Sequence, residues 1–115
     1  GLFAAADAAL LPVQDTMLNR AKSPMRLLDL LAAGVPVATQ RVGEYGVMVV
    51  DGVTGLLAAP GDAAGLAGQM IRLLRAGDLR LHLGQAAAAA MQAHYAWPQL
   101  AQSALNVYHA ALLRY

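Results

Sequence analysis

The stretch that decides the fold is residues 8–39, whose sequence is AALLPVQDTMLNRAKSPMRLLDLLAAGVPVAT. A short apolar run at each end, residues 8–11 and 36–39, suits a buried strand. The polar residues 14–22 follow the first run without any period, which predicts a loop. A helix and the second apolar run come next, and this order predicts a βαβ unit with parallel strands.

The helix of this unit has a recognisable beginning and end. Ser23 predicts the N-cap, and Pro24 predicts the first helical position. Leucines at helical spacing continue the pattern until Gly34, a residue type that commonly ends helices. Units of this kind bind ligands beyond the carboxyl ends of their strands and at helix N-termini. The loop over residues 14–22 lies at such a place.

The remaining sequence predicts a third strand and three further helices. Residues 55–58 suit a short strand, whereas residues 47–50 are ambiguous, with the composition of a strand and room for only one short element. Helices are predicted over residues 62–75, 77–94 and from Trp97 onward, with Asp62 and Asp78 as caps. The predicted fold class is α/β, a partial Rossmann-like domain with a short parallel sheet, flanking helices and a helical C-terminal region.

Composition excludes several classes of protein and site. The net charge is +1, so the chain carries no basic footprint for nucleic acid. Cysteine is absent, which excludes disulfides, thiolate zinc sites and a cysteine nucleophile. No apolar stretch reaches the roughly 18 residues of a spanning helix. His82, His94 and His109 are far apart in sequence, and no metal site is predicted.

Several features indicate part of a larger domain. The sequence begins at Gly1, residues 1–6 suit the tail of a helix, and three strands are fewer than the usual five or six of an open doubly wound sheet. Hydrophobic residues make up 58% and charged residues 13%. Either the chain is mostly buried sheet and helix, or it lacks a partner that covers it. An open sheet edge and low charge lead us to expect self-association in isolation.

An anion site is predicted around the helix start. That start offers unpaired N–H groups and the positive end of a helix dipole, and Arg20, Lys22 and Arg26 surround it. Ser23 can donate a hydroxyl hydrogen bond. Asp29, one turn into the helix, suits the vicinal hydroxyls of a ribose. The combination suggests a nucleoside diphosphate; solvated basic residues and an Asp29 on the exposed helix edge are the alternative interpretations.

Residues 7 to about 112 resemble the C-terminal end of the group 1 nucleotide-sugar glycosyltransferases, which have the GT-B fold. The matching blocks are Ala6-Asp7, Leu11-Pro12, Ser23 to Asp29, Ala32 to Ala38, Val42-Gly43-Glu44, Asp51 to Leu57, Pro60-Gly61-Asp62 and Trp97. The resemblance implies that residues 1–115 are a C-terminal fragment of a donor-binding domain. It also implies sugar transfer with retention, with a nucleotide sugar as substrate and no cofactor.

The resemblance also implies roles for individual residues. Diphosphate binding falls on Arg20, Lys22, Ser23, Met25 and Arg26. The family has two glutamates separated by seven residues in this region; Asp29 stands at the second, which holds the ribose, and Ala21 stands at the first, near the transferred sugar. Gly43 and Glu44 lie at the ligand-facing end of the second strand, close to the donor sugar. An ordinary loop carboxylate is the alternative for Glu44.

The implied partners are a nucleotide sugar and the N-terminal acceptor domain of the parent chain. No nucleic acid is expected as a partner, and a homo-oligomer of the fragment is a further expectation. The family's usual catalytic histidine lies in that N-terminal domain, so the catalytic residues here are unknown and the fragment alone is expected to be inactive. The expected location is cytoplasmic, with peripheral membrane association of the parent left open.

Ala21 also fits a degenerate nucleotide-binding or assembly module. A different phosphate-binding α/β protein is a further alternative, although the common glycine-rich phosphate loops are absent.

Overall fold

The computed structural model describes residues 5–114 of the chain. Its elements are β1 (Ala9–Leu11), α1 (Met17–Ala21), α2 (Met25–Ala32), β2 (Val37–Gln40), α3 (Glu44–Met48), β3 (Leu56–Ala58), α4 (Ala63–Arg75), α5 (Gly77–His94) and α6 (Trp97–Leu112). The three strands form one sheet in the order β1-β2-β3. The predicted α/β class, with a short parallel sheet and flanking helices, is confirmed.

Both strand pairs of the sheet are parallel, as the βαβ interpretation requires. Leu10 lies opposite Ala38 in the β1–β2 pair, and Thr39 lies opposite Leu57 in the β2–β3 pair. All three strands therefore end at the same edge of the sheet. The segments that follow them, including residues 14–22 after β1, start from that edge.

The core has two parts, one on each face of the sheet, because successive side chains of a strand point to opposite faces. Val37 belongs to the part formed with α2, and Ala38 belongs to the part formed with α4. Helix α5 supplies buried residues to both parts. The α2 part also contains the fully buried Leu27 and Leu31. Burial of a leucine contributes about 1.5–3 kcal/mol, so these residues fix α2 on the sheet and with it the position of its N-terminus.

The predicted C-terminal end of α2 is confirmed, whereas its predicted N-cap is wrong. Gly34 has a φ of 74° and follows the last turn, as predicted. The N-cap is Pro24 and not Ser23, and no side chain caps the helix. The predicted cap was therefore wrong by one residue. The Met25 N–H donates to the Ser23 carbonyl at 3.0 Å, which occupies that N–H without the serine hydroxyl.

The predicted N-caps of the two long helices, α4 and α5, have different outcomes. The Asp62 carboxylate accepts a hydrogen bond from the Gly65 N–H at 2.8 Å, which confirms it as the cap of α4. Asp78 lies inside the first turn of α5, and Ala76 occupies the cap position, so the predicted cap at Asp78 was wrong. A carboxylate in a first turn still favours the helix through the dipole.

Two short helices lie where the sequence indicates no helix. Residues 17–21 of the predicted loop form α1, and the ambiguous residues 47–50 contain the end of α3. The Thr16 hydroxyl oxygen accepts a hydrogen bond from the Asn19 N–H at 3.2 Å and starts α1. The helical tail predicted for residues 1–6 falls mainly on residues 1–4, outside the described residues.

Helix α6 is exposed along its whole length and packs chiefly on α5. Its first residue, Trp97, is 83% exposed. Within residues 5–114 we find no helix whose length and apolar content would carry it across a membrane.

Candidate functional site

A cleft of about 490 Å³ opens where β1 ends and α2 begins. We call it the first cleft. It is lined by Leu10, Leu11, Pro12, Lys22, Ser23, Pro24, Met25, Arg26, Leu27 and Tyr45. Four of the five residues predicted to bind a diphosphate are therefore in one cleft, and the fifth, Arg20, is not among its lining residues.

The N-terminus of α2 presents hydrogen-bond donors to the first cleft. Leu28 is the first residue of the helix whose N–H bonds back by one turn, to the Pro24 carbonyl at 3.2 Å. Among the described residues, no acceptor is found for the backbone N–H of Arg26 or Leu27. Such N–H groups, together with the positive end of the helix dipole, make a helix start suited to an anion. The side chains of Lys22 and Arg26 add two positive charges at the same place.

Two polar residues at the end of β2 bind the backbone of the β1 segment, part of which lines the first cleft. The buried Thr39 donates its hydroxyl hydrogen bond to the Leu11 carbonyl at 2.8 Å. The buried Gln40 accepts a hydrogen bond from the Val13 N–H through its Oε1 at 2.9 Å. These bonds continue the attachment of the β1 segment to β2 beyond the end of the strand ladder. The path of the chain into residues 14–22 is thereby set by the sheet.

Arg20 makes a bidentate ion pair with Asp15 instead of facing the first cleft. Its Nε lies 2.6 Å from Asp15 Oδ1, and its Nη2 lies 2.9 Å from Asp15 Oδ2. The hydrogen bonds from the guanidinium hold the pKa of the Asp15 carboxyl below its ordinary value and raise the pKa of Arg20. Sequence reasoning missed Asp15, although a carboxylate five residues before an arginine was a visible signal.

The loop between β2 and α3 approaches the backbone of Arg20. Gly43 has a φ of 50°, and a Cβ built on it would lie 2.7 Å from both the Cα and the carbonyl oxygen of Arg20. Glu44 is the exposed first residue of α3, and Tyr45 lines the first cleft. The structure therefore brings Gly43, one of the two predicted sugar-proximal residues, next to the basic segment. Tyr45 was missed because nothing in its spacing distinguishes it from a core aromatic residue.

Asp29 lies in a second cleft of about 480 Å³, between α2 and the junction of α5 with α6. This second cleft is lined by Met25, Leu28, Asp29, Ala32, Ala88, Met91, Gln92, Tyr95, Ala96, Trp97 and Leu100. Asp29 does not line the first cleft. Met25 lines both clefts, whereas the predicted ribose-binding carboxylate lines only the second, and Lys22 and Arg26 line only the first. Within residues 5–114, no group of three or more metal-ligating side chains is placed to hold a metal ion.

Comparison with known proteins places these features in a family. A family model described as "Glycosyl transferases group 1" matches residues 1–76. The chain belongs to the group 1 glycosyltransferases. The matched range of this glycosyltransferase chain contains all three strands and every residue predicted to contact the donor.

Curated relatives support the same family. This group 1 chain is 33% identical over 106 residues to a glycogen synthase of Mycobacterium tuberculosis, a match that covers 92% of the chain and 24% of the relative. It is 39% identical over 85 residues to a D-inositol 3-phosphate glycosyltransferase of Frankia alni, covering 74% of the chain and 21% of the relative. The chain thus spans about a quarter of the length of the curated relatives that it matches.

A solved structure shows the same fold. The group 1 chain resembles sucrose-phosphate synthase from Thermosynechococcus elongatus with a TM-score of 0.73 and 27% sequence identity. The match covers 81% of this chain and 23% of that one. The predicted resemblance to the GT-B glycosyltransferases, with a Rossmann-like parallel sheet, is confirmed.

Proposed function

We propose that this chain forms part of the donor site of a nucleotide-sugar glycosyltransferase and that the first cleft binds the donor diphosphate. The observation that carries the proposal is the meeting of Lys22, Ser23 and Arg26 in one cleft with two backbone N–H groups that have no acceptor among residues 5–114. The Ser23 hydroxyl caps no helix and is exposed, so it is available as a donor. The several oxygens of a diphosphate can accept hydrogen bonds from these groups.

The same groups would assist sugar transfer. When the bond between the sugar and the nucleoside diphosphate breaks, negative charge develops on the departing phosphate. Fixed positive charges and N–H dipoles stabilise that charge more than they stabilise the bound donor. In this proposal the nucleotide sugar is the substrate, no separate cofactor takes part, and transfer proceeds with retention.

Asp29 and the residues of the β2–α3 loop complete the proposal. Asp29 binds the ribose hydroxyls from the second cleft, and Met25, which lines both clefts, packs between the ribose and the diphosphate. Gly43 and Glu44 lie near the donor sugar, since their loop contacts the segment that carries Lys22. This arrangement requires one ligand to pass over Met25 from the first cleft to the second.

We also propose that the 115-residue chain alone transfers no sugar and that activity requires the N-terminal acceptor domain of a parent chain. The chain spans about a quarter of its curated relatives, and the position implied to lie near the transferred sugar is Ala21. Transfer from UDP-glucose or GDP-mannose by the purified chain would contradict this part.

The exposed apolar surface of α6 supports self-association of the isolated chain, which sedimentation at rising concentration tests.

Calorimetric titration with UDP and GDP tests the donor site. We expect the wild-type chain to bind at least one of them, and Lys22→Ala or Arg26→Ala to weaken that binding about tenfold, because hydrogen bonds to charged groups are worth about 1.5–3 kcal/mol. Arg75→Ala is the matched control, since it removes an exposed arginine that lines neither cleft. Equal affinities for the wild type and both cleft variants would contradict the proposal.

Ala21 favours a second candidate, a non-catalytic nucleotide-binding or assembly module. Arg26→Ala and Asp29→Asn in the full parent protein distinguish the two. Loss of transfer with the fold intact supports the enzyme, whereas unchanged biological function supports the assembly role.

A further inference from the structure

We propose that Asp15 and Arg20 are positioning residues, whose ion pair closes the segment over residues 14–20 and thereby holds Lys22 and Ser23 at the first cleft. This inference rests on the proposed function. It assigns to Asp15 a role that the family resemblance does not supply, and it makes Arg20 a support of the site and not a ligand of the phosphate.

The first observation is that the segment is tied to itself by side chains. The Asn19 amide donates through Nδ2 to the Gln14 carbonyl at 2.9 Å, and the Thr16 hydroxyl accepts from the Asn19 N–H at 3.2 Å. The two bonds between Arg20 and Asp15 close the same loop. Three consecutive residues at the start of the segment are therefore joined to two consecutive residues at its end.

The second observation is that the tied segment is anchored to the sheet and leads directly into the cleft. Gln40 holds Val13 at its beginning, and Gly43 packs against the backbone of Arg20 at its end. The Lys22 N–H then donates to the Leu18 carbonyl of α1 at 3.2 Å. The position of Lys22 is thus set by α1, which the side-chain bonds hold together.

The third observation is that two of the three guanidinium nitrogens of Arg20 already donate to Asp15. One carboxylate takes both its Nε and its Nη2, in the bidentate geometry that makes arginine–carboxylate pairs directional. The pair is neutral as a whole, so the positive charge of the first cleft comes from Lys22 and Arg26. Direct use of Arg20 would require breaking two charge-assisted hydrogen bonds and turning the side chain toward a cleft that it does not line.

The two possible roles of Arg20 predict opposite results for Asp15→Asn. If Asp15 merely restrains an arginine that would otherwise bind phosphate, removal of the carboxylate strengthens UDP binding. Coulomb's law alone also favours an anion after loss of a nearby negative charge. If the pair holds the segment, the same variant weakens binding, since Lys22 and Ser23 lose their fixed position. A weaker affinity therefore identifies positioning specifically.

The experiment measures UDP affinity and backbone hydrogen exchange in the same 115-residue chain. For Asp15→Asn we expect about two- to fivefold weaker UDP binding, as for an exposed ion pair, with faster exchange of the Arg20 and Lys22 amides. Asp15→Glu keeps the charge and should restore most of both. Asp78→Asn, an exposed carboxylate that lines neither cleft, is the matched control and should change neither.

Tighter or unchanged UDP binding in Asp15→Asn would overturn the inference. If the wild-type chain binds neither UDP nor GDP, the proposed function fails instead, and the exchange rates still test the pair. Unchanged exchange of the Arg20 and Lys22 amides in Asp15→Asn would then overturn it independently of any ligand.

Discussion

The α-carbon of Gly43 lies so close to the backbone of Arg20 that a Cβ on the glycine would meet the Cα and the carbonyl oxygen of Arg20 at 2.7 Å. This contact joins the loop after β2 to the end of α1. It places the residues proposed to lie near the donor sugar against the segment that leads into Lys22. The relative position of the two halves of the site therefore depends on the absence of one side chain.

Gly43→Ala should displace this segment and weaken UDP binding. The substitution adds a side chain at a φ of 50°, a strain of about 1–3 kcal/mol, and also drives a methyl group into the Arg20 backbone. Gly52→Ala is the matched control, because Gly52 has a φ of 77° with no atom within 4 Å of a Cβ. Denaturant unfolding measures the free energy of unfolding of each variant, and titration measures its affinity for UDP. Both variants carry the backbone strain, so a larger loss in Gly43→Ala reports the contact with Arg20. Equal losses of affinity in the two would show that the Arg20 contact does not matter.

Gly84→Ala should separate α5 from the turn that follows α2. A Cβ at Gly84 would overlap the carbonyl oxygen of Gly34, so we expect a loss of about 1–3 kcal/mol in the free energy of unfolding. Gly68→Ala on α4 is the control, since a Cβ there meets no atom within 4 Å. It should stabilise the chain by about 0.5–1 kcal/mol through helix propensity. Destabilisation by Gly68→Ala, or none by Gly84→Ala, would contradict this packing.

Gln40→Met should destabilise the start of the 14–22 segment. It removes the acceptor of the Val13 N–H and leaves a buried donor unsatisfied, which costs about 1–3 kcal/mol. Gln69→Met is the matched control, because Gln69 also bonds a backbone group, the Leu57 carbonyl at 2.9 Å, but this bond joins α4 to β3 and not to the segment that leads into the first cleft. Both variants should lower the melting temperature, and only Gln40→Met should weaken UDP binding. An equal loss of UDP affinity in Gln69→Met would show that the bond between Gln40 and Val13 does not position the site.

Arg20→Ala should raise the pKa of the Asp15 carboxyl toward its ordinary value, because the hydrogen bonds from the guanidinium are the main cause of its lowering. A carboxyl with a lowered folded-state pKa adds stability above its unfolded pKa, and that stability is lost as the pH falls through the folded value. The pair should therefore persist at neutral pH and open only in acid. Carbon NMR titration of the Asp15 carboxyl measures both midpoints. An unchanged midpoint in Arg20→Ala would mean that the pair does not form in solution.

Much of the fold could be predicted because apolar spacing and end signals agree. Two strand-like runs separated by a helix require parallel pairing, and Gly34 and Asp62 end and begin helices as their residue types indicate. Helix α1 could not be found in this way. Its apolar residues Met17 and Leu18 are 86% and 73% exposed, so the helix has no buried stripe for periodicity to show. Side-chain bonds, and not burial, hold it.

The site could be predicted only as a set of residues near the start of α2. Lys22 and Arg26 line the first cleft, whereas Arg20, close by in sequence, turns to Asp15. Asp29 follows Met25 by four residues and shares its face of α2, which lies across the second cleft from the junction of α5 and α6. That junction belongs to a distant part of the chain. No local pattern around Asp29 indicates which cleft it faces.

The most direct test of the donor site is to titrate the isotopically labelled chain with UDP, and separately with GDP, and to follow the backbone amide resonances by NMR. We expect the largest shifts at the Arg26 and Leu27 amides, whose N–H groups face a bound diphosphate, with smaller shifts at Lys22 and Ser23 and none in the middle of α6. Largest shifts outside the first cleft, or no shift with either nucleotide, would contradict the proposed donor site.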